Sequence, residues 1–282
     1  SGGGADGYTH ILDGAQRSSG DRAGQRINPT LDAATAAISS ATPDSDLVSR
    51  EFSQPPTPGG TTSAIGIGAT ITTGRHVEVT AEARDTFFAL AGSASGGLAA
   101  LGVAVVVANL DSIVDAGIAR DTVVRAGGDV GVRATHNEDT SAVAFSGGIG
   151  AGVIAGQVVV LNSDARQNAH LDDGAAVPVA GGTVSAAASA GRRVAPLTLG
   201  VQLGGLAAGA SVAVADVTGD TLARVGVVTI GAESAAGGLA VSAQSTIAAP
   251  VTAYGVSGGV AAGITGVGAT GTISGRTAAE FA

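Results

Sequence analysis

His170, Asp172 and Asp173 are the residues best spaced in this sequence to hold a divalent cation. An imidazole and carboxylates are ordinary ligands for such ions. On a strand, however, consecutive side chains point to opposite faces, so Asp172 and Asp173 diverge unless a turn brings them together. Solvated turn acids are the simpler expectation. Gly127-Gly128-Asp129 matches half of a calcium-binding nonapeptide. That motif builds its cage from tandem GGxGxD repeats, and none follow. The Asp- and Asn-rich turns leave calcium open, and no residue is assigned as a metal ligand.

Other chemistry finds less support. The histidines, His10, His76, His136 and His170, are scattered without HxxxH or HExxH spacing, which argues against zinc. The run Gly147-Gly148-Ile149-Gly150-Ala151-Gly152 mimics a dinucleotide fingerprint. A true fingerprint opens a long helix inside a βαβ unit, and no amphipathic helix follows here. No GxSxG elbow sits in an α/β alternation. Sugar-cleaving β-helices need clustered acids and aromatics, yet the chain has two Tyr, five Phe and no Trp. No catalytic or cofactor-binding residue is assigned, and the chain is expected not to be an enzyme.

Whatever positions these side chains must do so with small residues. Hydrophobic residues make up 45% of the chain but aromatics only 2%, with 46 Gly. The interior must therefore be narrow, and Val, Ile and Thr suit half-buried strands. No cysteine is present, so disulfides and thiolate sites are excluded. The net charge of −9 and the scattered arginines argue against nucleic-acid binding. The start Ser-Gly-Gly-Gly, without Met or an apolar leader, reads as a piece of a longer polypeptide.

Residues 1–61 form an irregular loop or insertion region, rich in Asp, Arg, Ser and Pro, with a short helix expected over 31–40. From 62 to 282 a unit of about 54 residues recurs. Gly96-Gly97-Leu98 is answered by Gly147-Gly148-Ile149, Gly204-Gly205-Leu206 and Gly258-Gly259-Val260. Unit endings alternate with period two: Val77, Val79 and Ala81 match Val130, Val132 and Ala134, a strand signature. Structural turns precede these endings at Gly127-Gly128, Gly181-Gly182 and Gly237-Gly238, where glycine supplies positive φ at low cost. The run Val105-Val106-Val107 is apolar on both faces, as in a strand covered on both sides, or in one whose outer face is an association surface.

Four uncharged stretches, beginning with 87–110, are long enough to cross a bilayer as helices. Their Gly and Val content and the lack of an aromatic belt argue against membrane insertion. The expected fold is all-β, a parallel β-solenoid (β-helix) of stacked repeats, each supplying two or three coils of about 18 to 27 residues.

The unit resembles the repeats of bacterial filamentous adhesins, the β-strand-repeat surface proteins that include the leukotoxin-type filamentous adhesins. The likeness is carried by Ala108-Asn109, by Asp115-Ala116-Gly117-Ile118 and by Val124–Ala134, with its Gly-Gly-Asp-Val-x-Val-x-Ala ending. Asn162, Asn168-Ala169-His170-Leu171 and Asp173-Gly174-Ala175 repeat it one unit later. The family's aromatic step is replaced by Gly117, His170 and Arg224. The resemblance implies a stalk or filament-forming module at the cell surface or outside the cell. Its partners would be copies of itself or neighbouring repeats. The alternative is an adhesin module whose N-terminal loops contact a host or abiotic surface. An ice-binding variant would need a ladder of TxT, and Thr70-Ile71-Thr72 stands alone.

Overall fold

The computed structural model describes residues 59–282. The expected helix over 31–40 lies outside them, and pairing already begins at Gly59, inside the segment read as irregular. Twelve strands and no helix make up the described part. β1 is Gly59–Ile65, β2 Thr70–Thr73, β3 Val77–Ile118 and β4 Val123–Ala126. β5 is Val130–Leu171, β6 Ala176–Ala180, β7 Thr183–Thr218 and β8 Thr221–Val225. β9 is Thr229–Ser234, β10 Gly238–Ala248, β11 Thr252–Ile273 and β12 Thr277–Phe281.

All pairing is parallel and joins one unit to the next. β3 lies between β1 and β5, β5 between β3 and β7, and β7 carries β10 and β11. A second sheet runs β2-β4-β6-β9. Val77 pairs with Val130, Val130 with Val184, and Thr221 with Thr277. Stacked residues are thus 53 or 54 apart at first and 56 apart at the end. One irregularity, between Gly259 and Ala262, accounts for part of that drift. Each unit is therefore one tier of the stack. The two or three coils per unit expected from sequence are not formed, because no strand pairing at 18 to 27 residues occurs among the described residues.

Long strands make this so. β3 and β5 each run 42 residues, and the pairing between them skips only Leu98 and Ala151. Each doubles back at its Gly-rich midpoint. Glu138 meets Ser163, and the Gln157 amide meets Ser146, across the interior of one tier. These pairs close on a tip near Ala151, and Ser257 with Thr265 places the equivalent tip of β11 near Ala261. The two limbs bond to neighbouring tiers rather than to each other, so side chains alone connect them across the tier.

Alternation then sorts the side chains. In β5, Val130, Val132, Ala134, Ala142 and Ala144 are buried on the outgoing limb. Val153, Ala155, Val159 and Leu161 are buried on the return. The interior has three apolar clusters in sequence from body to tip. The first joins Val79, Val114, Ile118, Val124 and Val132. The second joins Ala142, Ala144, Val159, Leu161 and Val194, and a small third joins Ala100, Val153 and Ala207. Residues this small fit because facing limbs lie close together.

The uncharged stretches are strands, and no helix among the described residues is long and apolar enough to cross a membrane. Val106 is buried while Val105 and Val107 face outward, so this run is covered on one face only.

Candidate functional site

Two belts of polar side chains interrupt the apolar interior, and they are the densest chemistry the fold assembles. The first lies between the first two apolar clusters. Thr221 Oγ1 donates to Gln167 Oε1 at 3.0 Å, and the Gln167 amide lies 3.2 Å from His136 Nδ1. His136 Nε2 lies 2.7 Å from Asp85 Oδ2. An amide nitrogen can only donate, so Nδ1 accepts and Nε2 carries the proton toward Asp85. The chain of bonds crosses three tiers and fixes a fully buried ring.

This belt does not make a catalytic site. A His–Asp pair serves a nucleophile only when the second ring nitrogen faces a hydroxyl or thiol. Here that nitrogen faces the Gln167 amide. Beside it, Glu138 accepts Thr140 Oγ1 at 2.9 Å and Ser163 Oγ at 2.6 Å, which leaves the buried carboxylate held as a structural acceptor.

Arg192 stacks on Glu138 one tier along. Its Nη1 donates to the Thr218 carbonyl at 2.6 Å, while Nε and Nη2 are buried without a partner. Burial pulls the guanidinium pKa down, and the nearby Glu138 and Asp164 carboxylates oppose this. A shallow cleft of about 390 Å³ opens beside it, lined by Arg84, Asp85, Asn137, Asp139 and Arg193 among others. Cations and anions alternate around this cleft. The two unpaired nitrogens of Arg192 are closed to solvent, so they cannot grip a ligand in the cleft.

The second belt lies nearer the tip. Ser211 Oγ sits 2.5 Å from Gln157 Oε1 and 2.9 Å from the Tyr254 carbonyl oxygen, with the Gln157 amide on Ser146. The sequence signal for the first belt is its phase. His136, Glu138 and Thr140 fall in the same period-two phase as Val130, Val132 and Ala134.

His170, Asp172 and Asp173 do not converge on one point. His170 Nδ1 lies 2.8 Å from Asp172 Oδ1, and Nε2 lies 3.4 Å from Asp115 Oδ2. Asp173 turns away, accepting the Val227 N–H at 2.9 Å. The adjacent carboxylates therefore diverge. No group of three or more potential ligands capable of holding a metal occurs among the described residues. His76 pairs with Asp129, and His10 lies outside the described residues. The Gly147–Gly152 run forms the tip of the β5 limbs inside a strand, with no helix after it.

The six turn glycines stand at the corners. Gly127 and Gly128 separate β4 from β5, Gly181 and Gly182 separate β6 from β7, and Gly237 and Gly238 lead into β10. None has the left-handed φ expected of it; the positive-φ glycines are others, such as Gly97 and Gly174. Contact between tiers explains Gly127, Gly128, Gly181 and Gly182 instead, whereas a Cβ on Gly238 would meet nothing within 4 Å. A Cβ on Gly127 would stand 2.5 Å from the Gly74 carbonyl oxygen, and one on Gly128 2.8 Å from His76 Nδ1.

The outer surface divides sharply. Around the body it carries Glu78, Glu82, Arg84 and Arg133. The limbs beyond carry no charge from 87 to 110, and exposed Phe88, Leu90, Val103, Val105 and Ile154 take over. Comparison of the chain with protein-family models, with curated proteins and with solved structures finds no match in any of the three.

Proposed function

We propose that the chain is a non-enzymatic structural module, a stalk or filament-forming stretch of parallel β-solenoid from a bacterial surface or secreted adhesin. The observation that carries this reading is the ladder from tier to tier. Nearly every residue of β3 has a register partner in β5, and nearly every residue of β5 one in β7 or β8, at a constant offset. Such a stack grows by adding units, and its length follows unit number. The side-chain chemistry supports the same reading, because His136, Gln167, Glu138 and Gln157 bond to neighbouring side chains within and between tiers. The repeat motifs that resemble filamentous adhesins point to the cell surface or the outside of the cell.

Electron microscopy of variants with duplicated units tests this. Each added unit should lengthen the particle by ~4.8 Å, the spacing of paired strands. Protease treatment of intact source cells should release the tagged protein. A particle that widens instead of lengthening, or a tag protected until lysis, would overturn the proposal.

A further inference from the structure

We infer that the valine-lined outer face of the return limbs is a lateral docking face for a second copy of this chain. The inference rests on the stacked-tier reading above, since the face exists only when the tiers are in register.

Stacking writes the face as columns. Val105, Val158 and Val212 form one ridge. Beside it runs the column Val103, Gly156, Ala210 and Gly266, which is low wherever valine is absent. A Cβ on Gly156 would meet nothing within 4 Å, so this column is an open groove and not a packed interior position. Val103 is 60% exposed and Val105 53%, although neither has a polar atom in its side chain.

A two-fold axis lying in the plane of the contact, parallel to the columns and midway between them, sets the ridge of each copy into the groove of the other. This is the isologous arrangement of most homodimers and the packing mode of stacked sheets. The return limb runs ~30 Å and four tiers rise ~20 Å, giving a face of roughly 600 Å². Two such faces closed on each other remove about 1,200 Å², at the lower bound of a stable specific interface. Isolated monomers seldom expose an apolar patch beyond this size. The outgoing limbs are a poorer match, because Phe145 lies across Gly92 and breaks the surface into bumps. Lipid is the rival occupant. A bilayer would surround the limbs and meet the polar backbone of any open tier edge, which hydrocarbon does not tolerate.

Sedimentation velocity over a concentration series, with circular dichroism on the same samples, tests the inference. The wild type should be strand-rich and carry the mass of two chains. Gly156→Arg fills the groove without a clash inside the tier, so it should keep the strand signal and thermal midpoint but sediment as one chain. Val158→Asp should do the same, while Val201→Arg on the opposite face should remain a dimer. A strand-rich wild type that stays monomeric overturns the docking face alone. So does a dimer untouched by Gly156→Arg, or a monomer that floats with phosphatidylcholine vesicles. A wild type without strand signal overturns the stacked tiers and the face together.

Discussion

Asp129 Oδ1 accepts the backbone N–H of Thr183 at 2.8 Å, one tier along the stack. Asp173 does the same for Val227 at 2.9 Å, and Asp220 for Arg276 at 2.8 Å. In each case the residue before the donor is glycine: Gly182, Gly226 or Gly275. A Cβ on Gly182 or Gly226 would run into the carboxylate of Asp129 or Asp173. An aspartate at one corner thus dictates a glycine at the same corner of the next tier. Gly182→Ala should cost ~1–3 kcal/mol of unfolding free energy, the usual range for overpacking. Gly156→Ala, in open space, should be close to neutral. Asp129→Ala alone should cost about 1 kcal/mol for the lost bond. Combined with Gly182→Ala it should cost less than the two added. Urea melts of the four variants measure this, and strict additivity would refute the coupling.

The tier length leads to a second prediction. Removing residues 130–183, one whole unit, joins Asp129 to Val184 and lets β7 take the place of β5 on β3. Each inward residue keeps an inward neighbour, since Val130 and Val184 occupy the same column. This deletion should leave a strand-rich, cooperatively unfolding protein. Removing only its first half, 130–156, should not, because the tier loses one limb and exposes the second apolar cluster. Circular dichroism and thermal melts separate the two. Equal stability would mean that the tier is not the folding unit.

Much of this architecture could be read from sequence, and its failures have physical causes. Val130, Val132 and Ala134 announce a strand by simple alternation, and they are buried as expected. The period was legible to within two residues: Gly96-Gly97 lies at a tip, but it stacks on Ile149-Gly150 and not on Gly147-Gly148. What sequence hid was that the unit makes a single circuit. Strands are usually short, so a Gly pair at a tip and a Gly pair at a corner both read as coil boundaries. Only the ladder distinguishes them: strand pairing resumes at once on the far side of the tip of β5, whereas at Gly127-Gly128 the strand ends and single backbone bonds carry the contact between tiers. Gly127, Gly128, Gly181 and Gly182 answer to contact between tiers and not to φ, and such contact is invisible within one unit. His136 was passed over because its partners Asp85 and Gln167 lie 51 and 31 residues away.

The first polar belt should behave as a coupled unit. Glu138→Leu strands the Arg192 cation and frees the Thr140 and Ser163 hydroxyls, so it should cost ~3–5 kcal/mol. Arg192→Met leaves the buried Glu138 carboxylate without its nearby positive charge and should also destabilise. The double variant removes both charges, and apolar replacements of buried charges are often neutral or better. Its loss should be smaller than that of Glu138→Leu alone, giving a coupling of about 1–3 kcal/mol. Chemical denaturation of all three variants reads the cycle. A double variant as unstable as the sum of the singles would show that the two side chains act independently.

Asp111 gives the stack a pH dependence of known sign. Burial pushes its carboxyl above the ordinary 3.8, and Asp164 adds to the rise while Arg166 opposes it. Asp164 occupies the same column one tier along, so two carboxylates are stacked on each other. With the folded value above the unfolded one, the folded state binds more protons in the interval between them. Stability therefore falls as pH rises through that interval and stays lower above it. Asp111→Asn removes the charge, and its amide can donate to Asp164 as Asn162 Nδ2 donates to Asn109 Oδ1 at 2.7 Å. The variant should be more stable than wild type at pH 7, by under about 1 kcal/mol because solvent screens the pair. The advantage should shrink as pH falls toward 3.8, where the wild-type carboxyl becomes neutral as well. Thermal midpoints at pH 7 and below pH 4 provide the comparison. An advantage that grows on acidification would reverse the sign and rule out the stacked carboxylates as its source.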